Sequence, residues 1–485
     1  MTFVLLSTVV LPTLGGLVAM AVRNRVGAWI ATGFAVAAVV AAAVLPVAAS
    51  DGPLWHRFDV PWVEPLGLRF DLGVDGISYP LIVLTAGLTV LCCLHVLVTD
   101  TPRGAQLIAL LLAVEVGIVG VFLSMNLVVF FVFFEVVLLP MYAIIAFWGG
   151  ANRRHAAVKF ALYTLLGSLL LLVGVFVVVS GTGTGDIVAL TQSRGAGMSD
   201  RTQLLAFALL GVGFAIKSPL WPLHTWLPDA HTEAPTVGSV MLAGVLLKMG
   251  TYGLIRVGLG VTPAGVEAAQ GVLTVLAVAA IIVGGLVCLA QTELKRLIAY
   301  SSVGHMGFVL LGIATLSSVG VNAALYGNIA HGLITGLLFF LVGAIKDTTG
   351  TGDLDRLGGL RDVAPRLAGV LGFAALASLG LPGLAGFWGE AFTVYAAFDV
   401  FDDWGAVAAV LAALGAALAA AYLLRMLRKV SHGPPSTAVS PVDDATTTSQ
   451  VVLWAPLVLA IVAFGIMPWV LLDGFTGDLL EWITR

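Results

Sequence analysis

The chain has 485 residues, of which 59% are apolar and only 10% are Asp, Glu, Lys or Arg. Soluble domains carry about 25% charged residues, so most of this surface does not face water. The composition predicts an all-α integral membrane protein and excludes soluble enzyme folds. With 23 basic against 27 acidic residues, the chain offers no basic face for nucleic acid.

Low-charge apolar runs predict fourteen membrane-spanning helices, because a helix needs about 20 apolar residues to cross a bilayer. The predicted spans are 3–22, 27–50, 76–98, 106–124, 126–148, 157–180, 204–222, 236–260, 265–290, 298–316, 321–346, 367–398, 404–427 and 451–473. The first resembles a signal peptide, but its positive charges, Arg23 and Arg25, follow the apolar stretch instead of preceding it. We interpret it as a retained first span.

The breaks between predicted spans are short. The longest are 51–75, 181–203, 347–366 and 428–450, so no water-soluble domain fits between the spans, and soluble chemistry must lie on partner proteins. The segment from Gly181 to Asp186 superficially resembles a phosphate-binding loop, but it joins two spans and follows no strand. We interpret it as a flexible linker.

Basic residues are distributed unevenly between the two sets of loops. Fifteen lie on the side of the first connection and six on the opposite side, while Lys217 and Lys248 fall within spans. The positive-inside rule therefore predicts that the first connection is cytoplasmic. With an even number of spans, both termini are predicted to lie outside the cytoplasm.

Metal and iron-sulfur sites are not predicted. The three cysteines lie in apolar runs and form no Cys-x-x-Cys pair; they are Cys92, Cys93 and Cys288. A histidine and carboxylate cluster lies in a short proline-rich loop without a fixed ligand spacing, and it consists of His224, Asp229, His231 and Glu233.

Ionisable residues inside apolar runs are the strongest functional signal. An ionised side chain at a helix centre costs about 2.5 to 3.5 kcal/mol on insertion scales, so each one needs a partner or a purpose. Glu135 follows four phenylalanines in a run of five residues and has no neutralising neighbour in sequence. A Glu with a movable cationic partner can hold or release a proton. The alternative is a permanently protonated Glu that makes a hydrogen bond between helices.

Two lysines also lie within predicted spans. Lys217 precedes Pro219 and Pro222, which predict a discontinuous helix because proline leaves a carbonyl unsatisfied. Lys248 lies between Gly244 and Gly250, which favour a local break. Buried lysine can become neutral near physiological pH and so can relay protons. The alternative for each lysine is a side chain that reaches the membrane interface.

A second broken helix is predicted in the twelfth span. The Pro382-Gly383 pair interrupts this long apolar run before Glu390. The seventh and twelfth spans are five helices apart, and five is odd, so the two units are predicted to run in opposite directions. Paired interrupted spans of this kind are typical of inverted-repeat transporters.

Two histidines lie between the broken helices in sequence, in apolar surroundings: His305 and His331. Histidine titrates near neutrality and can pass protons along a water chain, although a lone buried histidine is often only hydrogen-bonded. Glu115 in the fourth span is a weaker candidate of the same kind.

Long stretches of this sequence resemble the antiporter-like membrane subunits of respiratory complex I. The longest is FAIKSPLWPLHTWLPDAHTEAPTVGSVMLAGVLLKMGTYGLIR, from Phe214 to Arg256. Further matches are DVPWVEPLGLRFDLGVDGIS, FFEVVLLPMY, ELKRLIAYSSVGHMGF and GLPGLAGFWGE. Sister subunits usually carry lysine at the position of Glu390, so this glutamate indicates the subunit M branch. Gly304, where the family often has serine, is a small departure.

The resemblance implies a proton channel built from two inverted five-helix units. It places a Glu-Lys pair on Glu135 and Lys217, a central lysine on Lys248 and the second-unit acid on Glu390, with His305 and His331 connecting them. It also implies a bacterial inner-membrane complex with neighbouring antiporter-like subunits. FMN, iron-sulfur clusters and quinone are implied on partner subunits, with no redox centre on this chain.

The predicted organisation is 1–105 for three N-terminal helices, 106–260 and 261–430 for the two repeats, and 431–485 for the last helix. Two other readings stay open. The chain could belong to a multisubunit sodium/proton antiporter or an energy-converting hydrogenase, or it could be a non-conducting scaffold. The intramembrane charges argue against a scaffold, which would gain stability by losing them.

Overall fold

Helices account for most of this computed structural model, which describes residues 2–47, 54–63, 68–400, 402–440, 442, 450 and 453–472. The N-terminal elements are α1 (Thr2–Ala21), α2 (Arg25–Val44), β1 (His56–Val63), β2 (Leu68–Val74), α3 (Tyr79–Val98), α4 (Gly104–Leu123), α5 (Leu127–Val136), α6 (Leu138–Trp148) and α7 (Arg153–Thr182). The central elements are α8 (Ile187–Gln192), α9 (Asp200–Lys217), α10 (Leu227–Glu233), α11 (Thr236–Met241), α12 (Lys248–Gly253) and α13 (Pro263–Ala290).

The remaining helices are α14 (Leu294–Ala314), α15 (Ser318–Thr349), α16 (Leu360–Val363), α17 (Pro365–Ser378), α18 (Ala385–Val400), α19 (Asp402–Ser431), α20 (Ala455–Ile466) and α21 (Trp469–Leu472). Two π-helical segments, Leu242–Leu246 and Leu254–Leu259, flank α12. A π turn widens the helix and is frequent at functional sites.

Eleven helical segments in the described ranges are long and apolar enough to cross a membrane, and α17 and α20 are apolar but shorter. The predicted helical membrane fold is therefore confirmed, while the count of fourteen crossings stays a prediction. The segment Thr236–Leu259 and the membrane window of α15 are buried throughout, whereas fewer than half of the residues in the membrane windows of α1, α7, α13 and α19 are buried. The two buried segments form the centre of the protein.

Both predicted helix breaks are present. The helix of the seventh predicted span ends at Lys217, five residues before the predicted boundary, and α10 begins only at Leu227. In the twelfth span, α17 ends at Ser378 and α18 begins at Ala385. A third break, which the sequence analysis did not predict, separates α5 from α6 at Val137. Pro140 explains it, since its ring nitrogen cannot donate to the carbonyl four residues earlier.

A two-stranded antiparallel hairpin occupies part of the break at 51–75 and was not predicted. β1 pairs with β2, with Arg57 opposite Gly73. Arg57 Nε donates to Asp71 Oδ1 at 2.9 Å, and Arg57 Nη2 lies 3.0 Å from Asp186 Oδ2. The hairpin is thereby fixed to the turn that follows α7.

That turn occurs twice in the chain. The sequence Thr-Gly-Thr-Gly-Asp ends at Asp186 after α7 and again at Asp353 after α15, 167 residues later. In each copy the first glycine, Gly183 or Gly350, closes the helix with a positive φ of 74° or 69°. The segment beginning at Gly181 is therefore an ordered turn and not the flexible linker predicted from the sequence.

The hydrogen bonds of the two turns also match. The first threonine hydroxyl donates to the carbonyl four residues earlier, at 2.8 Å in one copy and 2.7 Å in the other. The carbonyls of Gly185 and Gly352 both accept a backbone N–H at 2.8 Å, from Leu127 and Leu294. The prediction of five crossings between the copies would place the same local structure on opposite faces of the membrane, as an inverted repeat requires. The predicted repeat boundaries stay predictions.

Glycines allow the central helices to approach closely at two places. A Cβ at Gly250 of α12 would lie 2.1 Å from Ser218 Oγ, next to the end of α9. A Cβ at Gly389 of α18 would lie 2.8 Å from the Cα of Gly327 in α15. These contacts hold the Lys248 helix against the Lys217 helix, and the Glu390 helix against α15.

Candidate functional site

Lys248 and His331 form a direct contact in the buried centre. Lys248 is fully buried at the start of α12, and its Nζ lies 2.6 Å from His331 Nδ1. The ammonium also donates to the Ala243 carbonyl in the preceding π segment. A lysine within hydrogen-bond distance of an imidazole can exchange a proton with it. The structure thus joins two residues that the sequence places 83 positions apart.

His305 and Glu390 form the second contact. His305 Nδ1 lies 2.8 Å from Glu390 Oε1, and the two side chains are only 12% and 14% exposed. The other ring nitrogen of His305 lies 3.2 Å from Ser378 Oγ, at the last residue of α17. Both halves of the second broken helix therefore hold this histidine.

A small cavity connects the two pairs. The rings of His305 and His331 have centroids 5.8 Å apart and an interplanar angle of 56°. They line a cavity of about 30 Å³ together with Glu390, Ser378 and Thr335. A cavity of roughly 10 to 15 Å³ or more holds a water molecule, so this one has room for water between the rings. Lys248, His331, His305 and Glu390 thus form one buried chain of titratable groups.

Lys217 and Glu135 are less closely associated. Lys217 is buried at the last residue of α9, and its Nζ lies 4.5 Å from the centroid of the Phe134 ring. This geometry favours a cation–π interaction. Within the described residues no cation lies within 4.0 Å of the Glu135 carboxylate, and Glu135 is only partly buried. The predicted Glu-Lys pair is therefore near but not in direct contact.

Glu115 lies apart from the chain of titratable groups. It is fully buried in α4, and neither carboxylate oxygen has a hydrogen-bond partner among the described residues. Cys93 in α3 lies within electrostatic range of its carboxyl group. Nothing in this geometry connects Glu115 to Lys217 or Lys248.

The histidine and carboxylate cluster of the proline-rich loop was not predicted to bind a metal. Its two carboxylates contact other parts of the chain. Asp229 bridges two cations, with Lys159 Nζ at 2.6 Å and Arg296 Nη1 at 3.1 Å. The Glu233 carboxylate accepts the backbone N–H of Asn152 at 2.8 Å. Together these contacts fix α10 to the starts of α7 and α14.

Two basic residues counted as loop charges are buried. Arg256 lies in the second π segment and forms an ion pair with the fully buried Asp75. Lys295 is 5% exposed near the start of α14, and its Nζ donates to the Ala234 carbonyl at 2.9 Å. Both residues lie near the ends of predicted spans. Their burial was not predicted, because the sequence around a helix end does not show which other elements cover it.

Comparisons with known proteins identify the family of this chain. The family model described as NADH:quinone oxidoreductase/Mrp antiporter, TM matches residues 124–415. NADH-quinone oxidoreductase subunit M of Rickettsia conorii is 39% identical over 419 residues, which cover 86% of this chain and 83% of that protein. Subunit M of Rhodobacter capsulatus is 42% identical over 320 residues, covering 64% and 62% of the two chains.

Solved structures share the fold. A chain of respiratory complex I from Thermus thermophilus matches with a TM-score of 0.87 and 30% identity, covering 99% of this chain and 98% of that one. A chain of the Mrp complex from Dietzia matches with a TM-score of 0.83 and 24% identity over the full length of both chains, a likeness of fold alone.

The membrane helices and the matches above identify an antiporter-like membrane subunit. The chain belongs to the NADH:quinone oxidoreductase/Mrp antiporter family, within the branch formed by subunit M of complex I.

Proposed function

We propose that this chain is the proton-translocating subunit M of a bacterial NADH:quinone oxidoreductase. The observation that carries the proposal is the buried chain of four titratable groups, Lys248, His331, His305 and Glu390, in which contacts of 2.6 Å and 2.8 Å flank a cavity that can hold water. Charged groups are costly at membrane depth, and they mark ion pathways and proton relays.

In this relay, Lys248 and His331 share one proton through their direct contact. Water in the cavity passes it to His305, and His305 passes it to Glu390. The charge of Lys217 controls when Lys248 gains or loses its proton. Glu135 holds a second proton, and the gain or loss of that proton switches Lys217 between its two positions. Glu115 has no assigned step in the geometry and is the least supported member of the predicted set.

The energy source lies outside this chain. NADH oxidation and quinone reduction take place on partner subunits that carry FMN, iron-sulfur clusters and bound quinone. Other antiporter-like membrane subunits flank this chain in the bacterial inner membrane and link it to the NADH-oxidising arm. Both termini lie outside the cytoplasm. The two repeats, 106–260 and 261–430, form the two halves of the channel.

Copurification tests the identity of the complex. An affinity-tagged chain extracted in mild detergent is expected to bring down flavin- and iron-sulfur-containing subunits with NADH-oxidising activity. Copurification of only antiporter subunits, or of a hydrogenase, would assign the chain to one of the two rival complexes.

The relay is tested by measuring proton pumping in membranes that contain the assembled complex with Lys248→Met. Methionine fills a similar volume but cannot carry a proton. We expect NADH oxidation by an artificial acceptor to be normal and NADH-driven proton pumping to be lost. A complex that pumps normally with this variant would contradict the proposal.

A further inference from the structure

Lys217 is a buried cation without a polar partner in the described ranges. It is 2% exposed at the last residue of α9. Within the part of the chain that the structure describes, its Nζ makes neither an ion pair nor a hydrogen bond. A buried ammonium has lost its hydration and needs a compensating contact. The contact that the structure provides is an aromatic ring.

That ring belongs to Phe134 in α5. Lys217 Nζ lies 4.5 Å from its centroid. The face of an aromatic ring carries partial negative charge and attracts a cation within about 6 Å of the centroid. The attraction is stronger where water is excluded, and the Phe134 side chain is only 1% exposed. The ring therefore replaces part of the hydration that Lys217 lost on burial.

Two further phenylalanines hold the Phe134 ring in place. Phe130, one turn earlier in α5, stacks on it with a centroid distance of 6.0 Å and an interplanar angle of 23°. Phe214 meets it edge-on at 6.3 Å and 67°. Phe214 lies in α9, three residues before Lys217. The same cluster therefore fixes both the ring and the helix that carries the lysine.

Phe134 and Glu135 are consecutive residues in the last turn of α5. Successive residues of an α-helix point in directions about 100° apart, so the ring and the carboxylate leave the same turn on different sides. Glu135 is within electrostatic range of Lys217 but does not contact it. Two groups that attract the Lys217 ammonium are thus neighbours on α5, and in this structure the ammonium lies on the ring.

We propose that Phe134 is a positioning residue for Lys217, whose ammonium rests on the Phe134 ring when it is away from Glu135. The inference rests on the proposed function, in which the charge of Lys217 controls proton exchange at Lys248. It adds the group that stabilises the second position of Lys217. The strength of the contact between ring and cation then sets the balance between the two positions.

The first test changes the charge on the ring face and leaves the ring shape nearly unchanged. Phe134 is replaced by monofluoro-, difluoro- and trifluorophenylalanine, whose ring faces are progressively less negative. We expect NADH-driven pumping by the assembled complex to fall stepwise, by roughly tenfold with three fluorines, which corresponds to about 1.4 kcal/mol. NADH oxidation by an artificial acceptor, measured in the same membranes, is expected to stay constant.

The same series at Phe130 is the matched control. Phe130 lies in the same cluster and is also 1% exposed, but within the described residues no cation lies over its ring. Fluorination there is expected to leave pumping unchanged. Pumping that does not depend on fluorination at Phe134, or that falls equally in both series, would overturn the proposal.

The second test separates attraction from packing. Phe134→Trp retains an aromatic face, and tryptophan binds cations best, but its larger ring system overpacks a buried site. Phe134→Leu removes the face with a smaller change in volume. A ring that positions Lys217 predicts better pumping by Phe134→Trp than by Phe134→Leu. The opposite order in assembled complexes would assign Phe134 a packing role. If Phe134→Trp does not assemble, the fluorine series decides.

Failure of this inference is distinguishable from failure of the proposed function. If Lys248→Met and the trifluorinated Phe134 complex both pump normally, the chain does not pump through this centre, and both proposals fail. If Lys248→Met is inactive while the trifluorinated complex pumps normally, the relay stands and only the role of Phe134 is wrong. Loss of pumping in both, with a normal Phe130 series, supports both proposals.

Discussion

Glu135 lies in the last turn of α5, directly before the break at Val137. Its carboxylate has no ion pair in the described part of the chain, and in the proposed relay it is the partner of Lys217. Glu135→Gln retains the shape and hydrogen bonding but cannot titrate. We expect an assembled complex with this change to lose most coupled quinone reduction and proton pumping. Wild-type pumping at normal assembly would refute the role of Glu135.

Substitution of Lys217 tests whether proton pumping needs a lysine at this position or only a positive charge. Lys217→Arg retains a cation that stays protonated, because the guanidinium pKa is above about 12. The arginine can also remain near the Phe134 ring. We therefore expect reduced proton pumping at normal assembly, measured in the same membranes as NADH oxidation by an artificial acceptor. Full pumping by Lys217→Arg would make Lys217 a fixed counter-charge and exclude proton exchange there.

Glu390 tests the end of the relay. In the proposed relay a titratable group at position 390 takes the proton from His305, so we expect Glu390→Asp to pump better than Glu390→Gln. The resemblance noted in the sequence analysis implies that sister subunits usually carry lysine here, so Glu390→Lys is expected to retain more coupled activity than Glu390→Leu. Electron input should not change in any of them, because the proposed function places NADH oxidation on partner subunits. Normal pumping by both Glu390→Gln and Glu390→Leu would remove Glu390 from the relay.

At the scale of the helix, Gly250 is required for the contact between α12 and α9. Gly250→Ala places a methyl group 2.1 Å from Ser218 Oγ and 2.5 Å from the Phe214 carbonyl. Overpacking of this kind costs about 1 to 3 kcal/mol. We expect a lower thermal stability and weaker pumping. Gly271→Ala in α13 is the control, since a Cβ there meets nothing within 4 Å. Equal stability of the two variants would contradict this packing argument.

Sequence predicted some elements well, because their causes are local. Pro219 and Pro382 each remove a backbone donor from the helical hydrogen-bond pattern, and both predicted breaks are present. The pairings of Lys248 with His331 and of His305 with Glu390 were not predictable from spacing, because they depend on how distant helices pack. The hairpin and the break at Val137 were missed, and the turn at Gly181 was misread as flexible because its hydrogen-bond partners lie on another loop.

At the scale of the whole molecule, orientation can be measured with cysteines. The three native cysteines are buried, so they contribute little background reaction. Asp59→Cys in the hairpin is expected to react with an impermeant reagent from outside the cytoplasm, and Gly433→Cys after α19 from within. Reaction of both from the same side would show that the span count or the orientation is wrong.

The helix α15 has a mechanical property that follows from its length. It has 32 residues, is buried throughout its membrane window and carries both His331 near its middle and Lys346 in its last turn. Fifteen residues of α-helix rise about 22 Å, so a tilt of about 2° about the Lys346 end displaces His331 by roughly 0.8 Å. A displacement of that size along the contact would lengthen the 2.6 Å separation from Lys248 to about 3.4 Å and so weaken the hydrogen bond. Because His331 and Lys346 lie on one continuous helix, a movement of one end of α15 changes the geometry of the Lys248 contact at its middle.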